Sequence, residues 1–407
     1  MLASLKWART DRPPVGGYAG VPVSHNGAGP GGAVRGGALD VLRFVAALLI
    51  VLYHFGAEAP IRLELLHPVY SRGYLATDFF LMLSGFVLGR AYGRQVTGAR
   101  ISDSRFWIKR VGRIWPGHAI MLGAFLVAVL AFTLVGATAH NPTRFTWGAL
   151  PLQFFLLHAW GIPGGDGWNL PSWSLSALVV CYAAFPAIWR GLARLKHAIV
   201  APVIGAAAVV AIDLLCWKLF GRALFDLPFE MGLVRAAPLF LMGACLARAV
   251  ESRLLITPVA RGLLWGGVVV FVAAQLVGRF DALSIAALAA IMLGAGRLPV
   301  TKPWPVAESA ARLSYALFIT HTFVGFLYYL AIHTLIELTP VPLESQWLLW
   351  LAGFPLAVAG AWAFDRWIDA PLQSWLAPWL NPRRAAPAIA QPAMTPVAQT
   401  TQDQAAG

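Results

Sequence analysis

The segment "LDVLRFVAALLIVLYHF", residues 39 to 55, decides the fold class of this chain. It is almost entirely apolar, and its length is close to the roughly 20 residues that a helix needs to cross a bilayer. The segment therefore predicts a transmembrane helix. The same segment carries Asp40 and Arg43 near one end and His54 near the other. A charge near the bilayer centre costs roughly 2.5 to 3.5 kcal/mol on insertion scales, so these residues indicate a functional site.

The composition supports a membrane protein throughout. Of 407 residues, 58% are hydrophobic and 12% are charged, with a mean hydropathy of +0.67, far from the balance of a soluble domain. A net charge of +13 would suggest a nucleic-acid partner in a soluble protein. Here the basic residues lie in short loops between apolar segments, so we expect contact with membrane lipid and not with nucleic acid.

Ten apolar segments are long enough to span a bilayer. They are residues 39–57, 74–92, 118–138, 173–193, 198–219, 234–250, 260–278, 281–297, 311–333 and 346–368. A shorter segment, 147–160, has a tryptophan at each end and is predicted to be interfacial or re-entrant. The expected fold is an all-α polytopic membrane protein of about ten transmembrane helices, with one extra short helix.

Loop charges predict the orientation. The N-terminal tail and the first five loops carry 4, 2, 7, 1, 3 and 1 basic residues in turn. Because cytoplasmic loops collect Lys and Arg, we expect both termini in the cytosol and the protein in a bacterial inner membrane. We predict a membrane domain at residues 38–378, with disordered cytosolic tails at 1–37 and 379–407.

Arg43 and His54 lie on one face of the predicted first helix. Eleven residues separate them, which is about 20° around the helix and about 16 Å along it. The face therefore offers two separate polar positions along a path through the membrane. In an alternative interpretation, Arg43 snorkels to the interface and His54 bonds a backbone carbonyl.

Further polar residues occur in three motif-like segments. Asp78 and Ser84 lie in "YLATDFFLMLSGFVLGR" (74–90), and Asn169, Trp173 and Ser174 lie in "NLPSWSLS" (169–176). Arg110 and Arg113 lie in "FWIKRVGRIWP" (106–116), which is predicted to be a helix entry closed by Pro116. We interpret the two serines as helix-packing hydroxyls, since neither sits in a G-x-S-x-G elbow. The three cysteines lie in apolar segments without metal-site spacing, and we expect no metal.

Together these segments resemble acyltransferase family 3, whose members are integral-membrane enzymes that transfer acyl groups, commonly acetyl. Their acceptors are hydroxyls of surface polysaccharides, lipid-linked glycans or, in some members, macrolides. The matching pieces are Arg43 and His54, residues 79–86, 110–116 and 173–176, Arg235 to Gly243, "SYALFITHTF" (314–323) and "WIDAPLQSW" (367–375). The chain departs from the family pattern at Leu178 and Asp369, where glutamate is usual.

The resemblance implies roles for individual residues. His54 would act as general base, since imidazole titrates near pH 6.5 unperturbed, with Arg43 and Asp78 as further catalytic residues. Arg110 and Arg113 would clamp the phosphates of acetyl-CoA (or another acyl-CoA), a co-substrate and not a permanently bound cofactor, while Arg43 guides its arm inward.

The remaining candidates would contact the acceptor. They are Asn169, Trp173, Ser174 and His321. Asp78 would orient His54 or bind acceptor hydroxyls, and its alternative is a structural carboxylate at the outer interface. The alternative for His321 is a core histidine whose hydrogen bonds are satisfied within the protein. Arg235 is interpreted as an outer-end structural charge, with a functional role as the alternative.

The expected activity is that of a membrane-bound O-acetyltransferase acting on a sugar hydroxyl of a surface polysaccharide or lipid-linked glycan. One alternative acceptor is a macrolide or another small glycoside. A glycan or lipid transporter is a second alternative, although the two halves of the chain show no repeat of the kind common in transporters. A binding-only scaffold is the third, favoured only if Leu178 marks an inactive enzyme.

Overall fold

The computed structural model describes residues 37–134, 145–163, 167–252, 254–278 and 280–380. The two predicted tails therefore lie almost wholly outside the described residues. Ten long helices make up most of the described chain. They are α1 (Ala38–Phe55), α2 (Tyr74–Thr97), α3 (Asp103–Leu134), α4 (Ser172–Ala193), α5 (Ala201–Phe220), α6 (Gly232–Ala249), α7 (Thr257–Val277), α8 (Asp281–Arg297), α9 (Pro305–Leu338) and α10 (Leu343–Phe364).

The predicted fold class is confirmed. Within the described residues, nine helices are long and apolar enough to cross a membrane, and α8, with 17 residues, lies at the lower limit for a spanning helix. Each of the ten predicted spans falls on one of these helices. The segment 147–160 forms a helix only over Ala149–Phe154, six residues, which is too short to span.

The start of α3 differs from the prediction. The helix begins at Asp103 and runs through Pro116, which was expected to close a helix entry. An interior proline removes one helix hydrogen bond and costs about 3 kcal/mol. Next to the proline, the Tyr315 hydroxyl of α9 donates to the carbonyl of Ile114 over 2.9 Å, which attaches this part of α3 to α9. Arg110 and Arg113 consequently lie on a continuous helix.

The helix ends are grouped at two ends of the bundle. The first end comprises the loops 98–102, 194–200 and 298–304 and the loop residues 250–252 and 254–256, and we call it the basic end. Three arginines hydrogen-bond across it: Arg190 to Asp103, Arg248 to the carbonyls of Leu192 and Leu195, and Arg297 to the carbonyl of Leu255. The loop after α1 lies at the opposite end, where Arg72 donates to Gln275 and Asp281. Successive helices therefore alternate in direction, as the spans require.

Two glycines let α2 and α6 cross at the centre of the bundle. A Cβ added at Gly85 would lie 2.1 Å from the carbonyl oxygen of Phe240, and one at Gly243 would lie 1.8 Å from that of Met82. Only glycine allows backbones to approach this closely. The family-like motifs "LSGF" and "R..P.F..G" thus contribute a close contact between helices. Among the nine described membrane-spanning helices, α2, α4 and α6 are the most buried, and α5 and α7 are the most exposed.

Candidate active site

His54 and His321 meet where α1 packs against α9. His321 Nε2 lies 3.1 Å from His54 Nδ1, and the ring centroids are 5.0 Å apart. His321 is fully buried, with the rings of Phe55 and Phe318 beside it at 6.3 and 6.5 Å. Two imidazoles from segments 267 positions apart therefore share one apolar site.

Backbone carbonyls assign the tautomers of this pair. His321 Nδ1 lies 2.9 Å from the carbonyl of Leu317, and His54 Nδ1 lies 2.9 Å from that of Ile50. Because a carbonyl only accepts, each Nδ1 carries the hydrogen, and His321 Nε2 accepts from His54 Nδ1–H. The lone pair of His54 is then on Nε2, the nitrogen that can take a proton from a substrate.

Asn169 attaches the entry of α4 to α9 on both sides of His321. Its Nδ2 donates to the carbonyl of Ile319 over 3.1 Å, and its Oδ1 accepts from the hydroxyl of Thr322 over 2.8 Å. Asn169 is 1% exposed. The predicted candidates Asn169 and His321 are thus neighbours, and Asn169 fixes the turn of α9 that carries the imidazole.

Asp78 and Arg235 form a buried ion pair between α2 and α6. Arg235 donates from Nε and Nη2 to the two carboxylate oxygens, each over 2.8 Å, and from Nη1 to the carbonyl of Phe225 over 3.0 Å. Asp78 is 0% and Arg235 6% exposed. The structure thus gives Asp78 an arginine partner, whereas the acceptors described above for His54 Nδ1–H are the carbonyl of Ile50 and Nε2 of His321.

Trp173 belongs with the ion pair, and Ser174 is bonded within its own turn. The guanidinium of Arg235 lies 5.9 Å from the Trp173 ring, and the centroids of the Trp173 and Phe229 rings are 6.0 Å apart. Ser174 donates to the carbonyl of Pro171 over 3.0 Å. The four predicted acceptor contacts therefore separate into a group at the histidines and a group near Arg235.

The two arginines of α3 have different surroundings. Arg113 donates from Nη1 to Oδ1 of Asp369 over 3.0 Å, and its Nη2 lies 3.0 Å from Oδ2. The Arg113 guanidinium lies 4.7 Å from the Tyr315 ring. Arg110 donates from Nη2 to the Tyr92 hydroxyl over 2.6 Å, and within the described structure its buried Nε has no hydrogen-bond partner. The charge of Arg113 is therefore paired with a carboxylate, whereas Arg110 has an Nε–H that makes no hydrogen bond within the described structure.

Arg43 and His54 lie on one continuous helix, α1. Eleven residues of α-helix separate them by about 16 Å along its axis. Arg43 is half-buried and lies toward the basic end, since α1 ends at the loop that faces the opposite end.

Sequence analysis did not find the partners of these residues. Asp369 was visible only as a departure from glutamate, and the structure places it in a π-helical turn, Asp365–Asp369, between α10 and the helix Ala370–Leu380. Such turns recur at functional sites. Leu178, the other departure, is 6% exposed in the apolar core of α4, so this point of the interior carries no charge.

The short helix also contributes polar groups that were not predicted. Gln153 Oε1 accepts from the backbone N–H of Trp168 over 3.1 Å, and its carbonyl lies 2.8 Å from His118 Nε2. His158 Nε2 lies 3.1 Å from the Ser172 hydroxyl. These bonds attach the segment to α3 and to the start of α4, just before Asn169. The only signal in the sequence was a polar residue in a short apolar segment.

An α-helical membrane bundle with buried histidines and buried ion pairs defines a polytopic membrane protein equipped for acid–base chemistry. Residues 37–366 match the family model Acyl_transf_3, described as "Acyltransferase domain". The chain belongs to this acyltransferase family, which confirms the resemblance found in the motifs. It is therefore an integral-membrane protein that carries the acyltransferase domain of this family.

Two curated proteins are similar to parts of the chain. "Acyltransferase MdmB" of Streptomyces mycarofaciens is 35% identical over 176 residues, which are 40% of this chain and 42% of that protein. "Protein 2 in picA locus" of Rhizobium radiobacter is 29% identical over 199 residues, 42% of this chain and 90% of that protein. The match thus spans less than half the length of MdmB, and no solved structure matches the chain.

Proposed function

We propose that this acyltransferase moves an acetyl group from acetyl-CoA to a sugar hydroxyl of a surface polysaccharide or lipid-linked glycan, in a bacterial inner membrane with both termini cytosolic. His54 is the general base. The observation that carries the proposal is the His54–His321 pair, because it leaves the lone pair of His54 on Nε2 and supports the opposite nitrogen with a second imidazole.

The reaction needs one proton to be moved twice. His54 Nε2 takes the proton of the acceptor hydroxyl while its oxygen attacks the thioester carbonyl. The tetrahedral intermediate then expels the CoA thiolate, which takes the proton from the imidazolium. The products are the acetyl ester and CoA thiol. His321 stabilises the imidazolium, because its Nε2 accepts from the Nδ1–H that then carries positive charge.

The remaining residues position the two substrates. Arg43 and Arg110 lie toward the basic end, where an anionic donor entering from the cytosol would first meet the protein. Asn169 positions His321, and Trp173 provides an aromatic surface of the kind that packs against apolar faces of an acceptor. The ion pair of Asp78 and Arg235 holds α2 and α6 behind this surface.

Purified protein in vesicles, supplied with acetyl-labelled acetyl-CoA and a lipid-linked oligosaccharide, tests the proposal. We expect labelled acceptor whose label is released by mild base, as for an ester, together with one CoA thiol per acetyl transferred. His54→Ala should remove both signals and keep the protein folded. A wild-type protein that forms neither product, or a fully active His54→Ala variant, contradicts the proposal.

A macrolide and a simple methyl glycoside, offered in parallel assays, identify the acceptor class. Label on the macrolide alone would replace the glycan as acceptor while keeping the acyl-transfer chemistry. Uptake of labelled glycan into vesicles without release of CoA thiol would instead support a transporter.

A further inference from the structure

A cavity of about 450 Å³ opens at the basic end, between the last turn of α2 and the first turns of α3. Its lining residues are Gln95, Ala99, Arg100, Ile101, Ser102, Arg105 and Lys109. None of them was a candidate from the sequence. A cavity of this volume has the size of a small-molecule site.

The lining is cationic. Arg100, Arg105 and Lys109 contribute three positive charges, and no carboxylate is among the described residues that line the cavity. The adjacent acidic residue, Asp103, is bonded to Arg190 of α4 through both carboxylate oxygens, over 2.9 and 2.6 Å. Asp103 is thus paired outside the cavity, and the chemistry that the cationic lining fits is that of phosphate groups.

Two helices, α3 and α9, run from this end of the bundle toward the histidine pair. Lys109 lies four residues before Arg113 on α3, and the Arg113 guanidinium lies 4.7 Å from the Tyr315 ring of α9. Tyr315 lies six residues before His321. Four and six residues of helix give a separation along the axes of roughly 15 Å between Lys109 and His321.

This separation matches the reach of a pantetheine arm. The arm between the pyrophosphate and the sulfur of CoA has as many backbone bonds as about four residues of extended polypeptide, which span roughly 14 Å. A pyrophosphate at Lys109 thus places the thioester at the level of His321. The remaining phosphate of the nucleotide then lies further toward the basic end, beside Arg100 and Arg105.

We propose that this cavity binds the phosphates of the acyl donor's nucleotide, an inference that rests on the proposed use of acyl-CoA. Lys109 contacts the pyrophosphate, and Arg100 and Arg105 contact the 3′-phosphate. Arg110 follows Lys109 on α3, and its buried Nε, which has no hydrogen-bond partner in the described structure, serves the arm or its pyrophosphate. Arg113, bonded to Asp369, lies beyond the phosphates.

Truncated donors test the assignment in the intact protein. Acetyl-CoA, acetyl-dephospho-CoA, which lacks the 3′-phosphate, and S-acetylpantetheine are compared as donors in phosphatidylcholine vesicles. For the wild type we expect the donor KM to rise about 10-fold or more when the 3′-phosphate is removed, the scale of one charged hydrogen bond. Equal KM values for acetyl-CoA and acetyl-dephospho-CoA in the wild type overturn the proposal.

Variants then locate the contact. Arg100→Gln should raise the KM for acetyl-CoA several-fold, leave that for S-acetylpantetheine unchanged and reduce the preference for the 3′-phosphate, because Arg105 remains. Lys109→Gln should weaken both nucleotide donors, and Lys109→Arg should restore them. Lys196→Gln, an exposed cation of another loop at the basic end, is the matched control and should change none of these values. An Arg100→Gln variant that keeps the wild-type preference overturns the assignment.

An anionic lipid headgroup shares the chemistry of this cavity. If Arg100→Gln and Lys109→Gln impair all three donors equally, and only in vesicles that contain phosphatidylglycerol, the cavity binds lipid and the proposal falls. If the wild type transfers from no CoA thioester, the proposed function fails, and direct binding of labelled adenosine 3′,5′-bisphosphate decides for the cavity. Binding that Arg100→Gln weakens supports the nucleotide site, and no binding overturns it.

Discussion

Asp369 holds Arg113 through a hydrogen bond of 3.0 Å from Nη1 to Oδ1 and an ion-pair contact of 3.0 Å between Nη2 and Oδ2, although the two residues are 256 positions apart. The carboxylate is buried, whereas the Arg113 side chain is 40% exposed. This contact attaches the π-helical turn Asp365–Asp369, which follows α10, to α3. It also distinguishes Arg113 from Arg110, whose Nε keeps an unused donor.

Replacing either member of this pair separates structure from donor binding. We expect Asp369→Asn to lower the melting temperature in detergent with little change in donor KM, because the arginine remains. Arg113→Ala should lower the melting temperature by a similar amount. If Arg113 also contacts the donor, this variant should raise the donor KM as well, and Arg113→Lys should recover part of the lost donor affinity. Thermal unfolding and donor titrations on the three variants measure this, and equal KM changes in Asp369→Asn and Arg113→Ala would make Arg113 purely structural.

The histidine pair predicts two different kinetic defects. His54→Ala should lose acetyl transfer by a factor on the order of 100 or more, the usual scale for a general base, and bind a non-hydrolysable acetyl-CoA analogue as the wild type does. His321→Ala should lower kcat by less and leave donor KM unchanged, because it acts through His54. An active His54→Ala protein contradicts the first expectation, and a His321→Ala variant that loses donor binding contradicts the second.

The buried ion pair predicts a loss of stability. Removing one charge leaves the other buried, at a cost of about 3 to 5 kcal/mol, so Asp78→Asn and Arg235→Gln should each unfold at much lower temperature. The double variant Asp78→Leu, Arg235→Met should recover most of this stability, since apolar pairs can replace buried ion pairs. Unfolding curves for the three proteins provide the measurement, and a double variant less stable than both single variants would contradict the prediction.

His158 predicts a dependence of stability on pH. Burial, with a smaller contribution from the nearby His118, lowers the pKa of His158 from 6.5 to about 4. The unfolded chain therefore binds this proton at higher pH than the folded one, and stability falls as the pH drops from 6.5 toward 4, by roughly 3 kcal/mol in total. Melting temperatures at several pH values should show this slope in the wild type and a smaller one in His158→Gln. Equal slopes would contradict it.

The proposed orientation predicts opposite labelling of two loops. With Cys181, Cys216 and Cys245 replaced, cysteines at the exposed positions Ser104 and Thr339 should react with a membrane-impermeant maleimide from opposite sides of oriented vesicles. The basic end at Ser104 should face the cytosol. Labelling of both positions from one side would exclude the ten-span topology.

The helices could be predicted from the sequence because each needs only its own apolar length. The spans at 281–297 and 173–193, for example, agree with α8 and α4 to within one residue. The start of α3 could not be predicted, since the residues before 118 are too basic to look like a span. That helix extends past the apolar core toward the basic end, where its arginines are solvated or paired.

Candidate residues were also visible one at a time, but their partners were not. Hydropathy marks His54, Asp78 and Arg235 as costly in a membrane, and it says nothing about which of them meet. The pairing of Asp78 with Arg235 depends on the crossing of α2 and α6, which two glycines permit. The contact of His54 with His321 depends likewise on the packing of α1 against α9, a property of the assembled bundle.

The distance in sequence between Asp78 and Arg235 has a consequence for how the protein is made. The two residues are 157 positions apart, so α2 emerges from the ribosome long before α6. Each charge alone would cost about 2.5 to 3.5 kcal/mol in the lipid core. Until α6 has been made, the carboxylate of Asp78 has no arginine partner from that helix. The ion pair, and with it the close crossing of α2 and α6, can therefore form only after the chain as far as α6 has been synthesised.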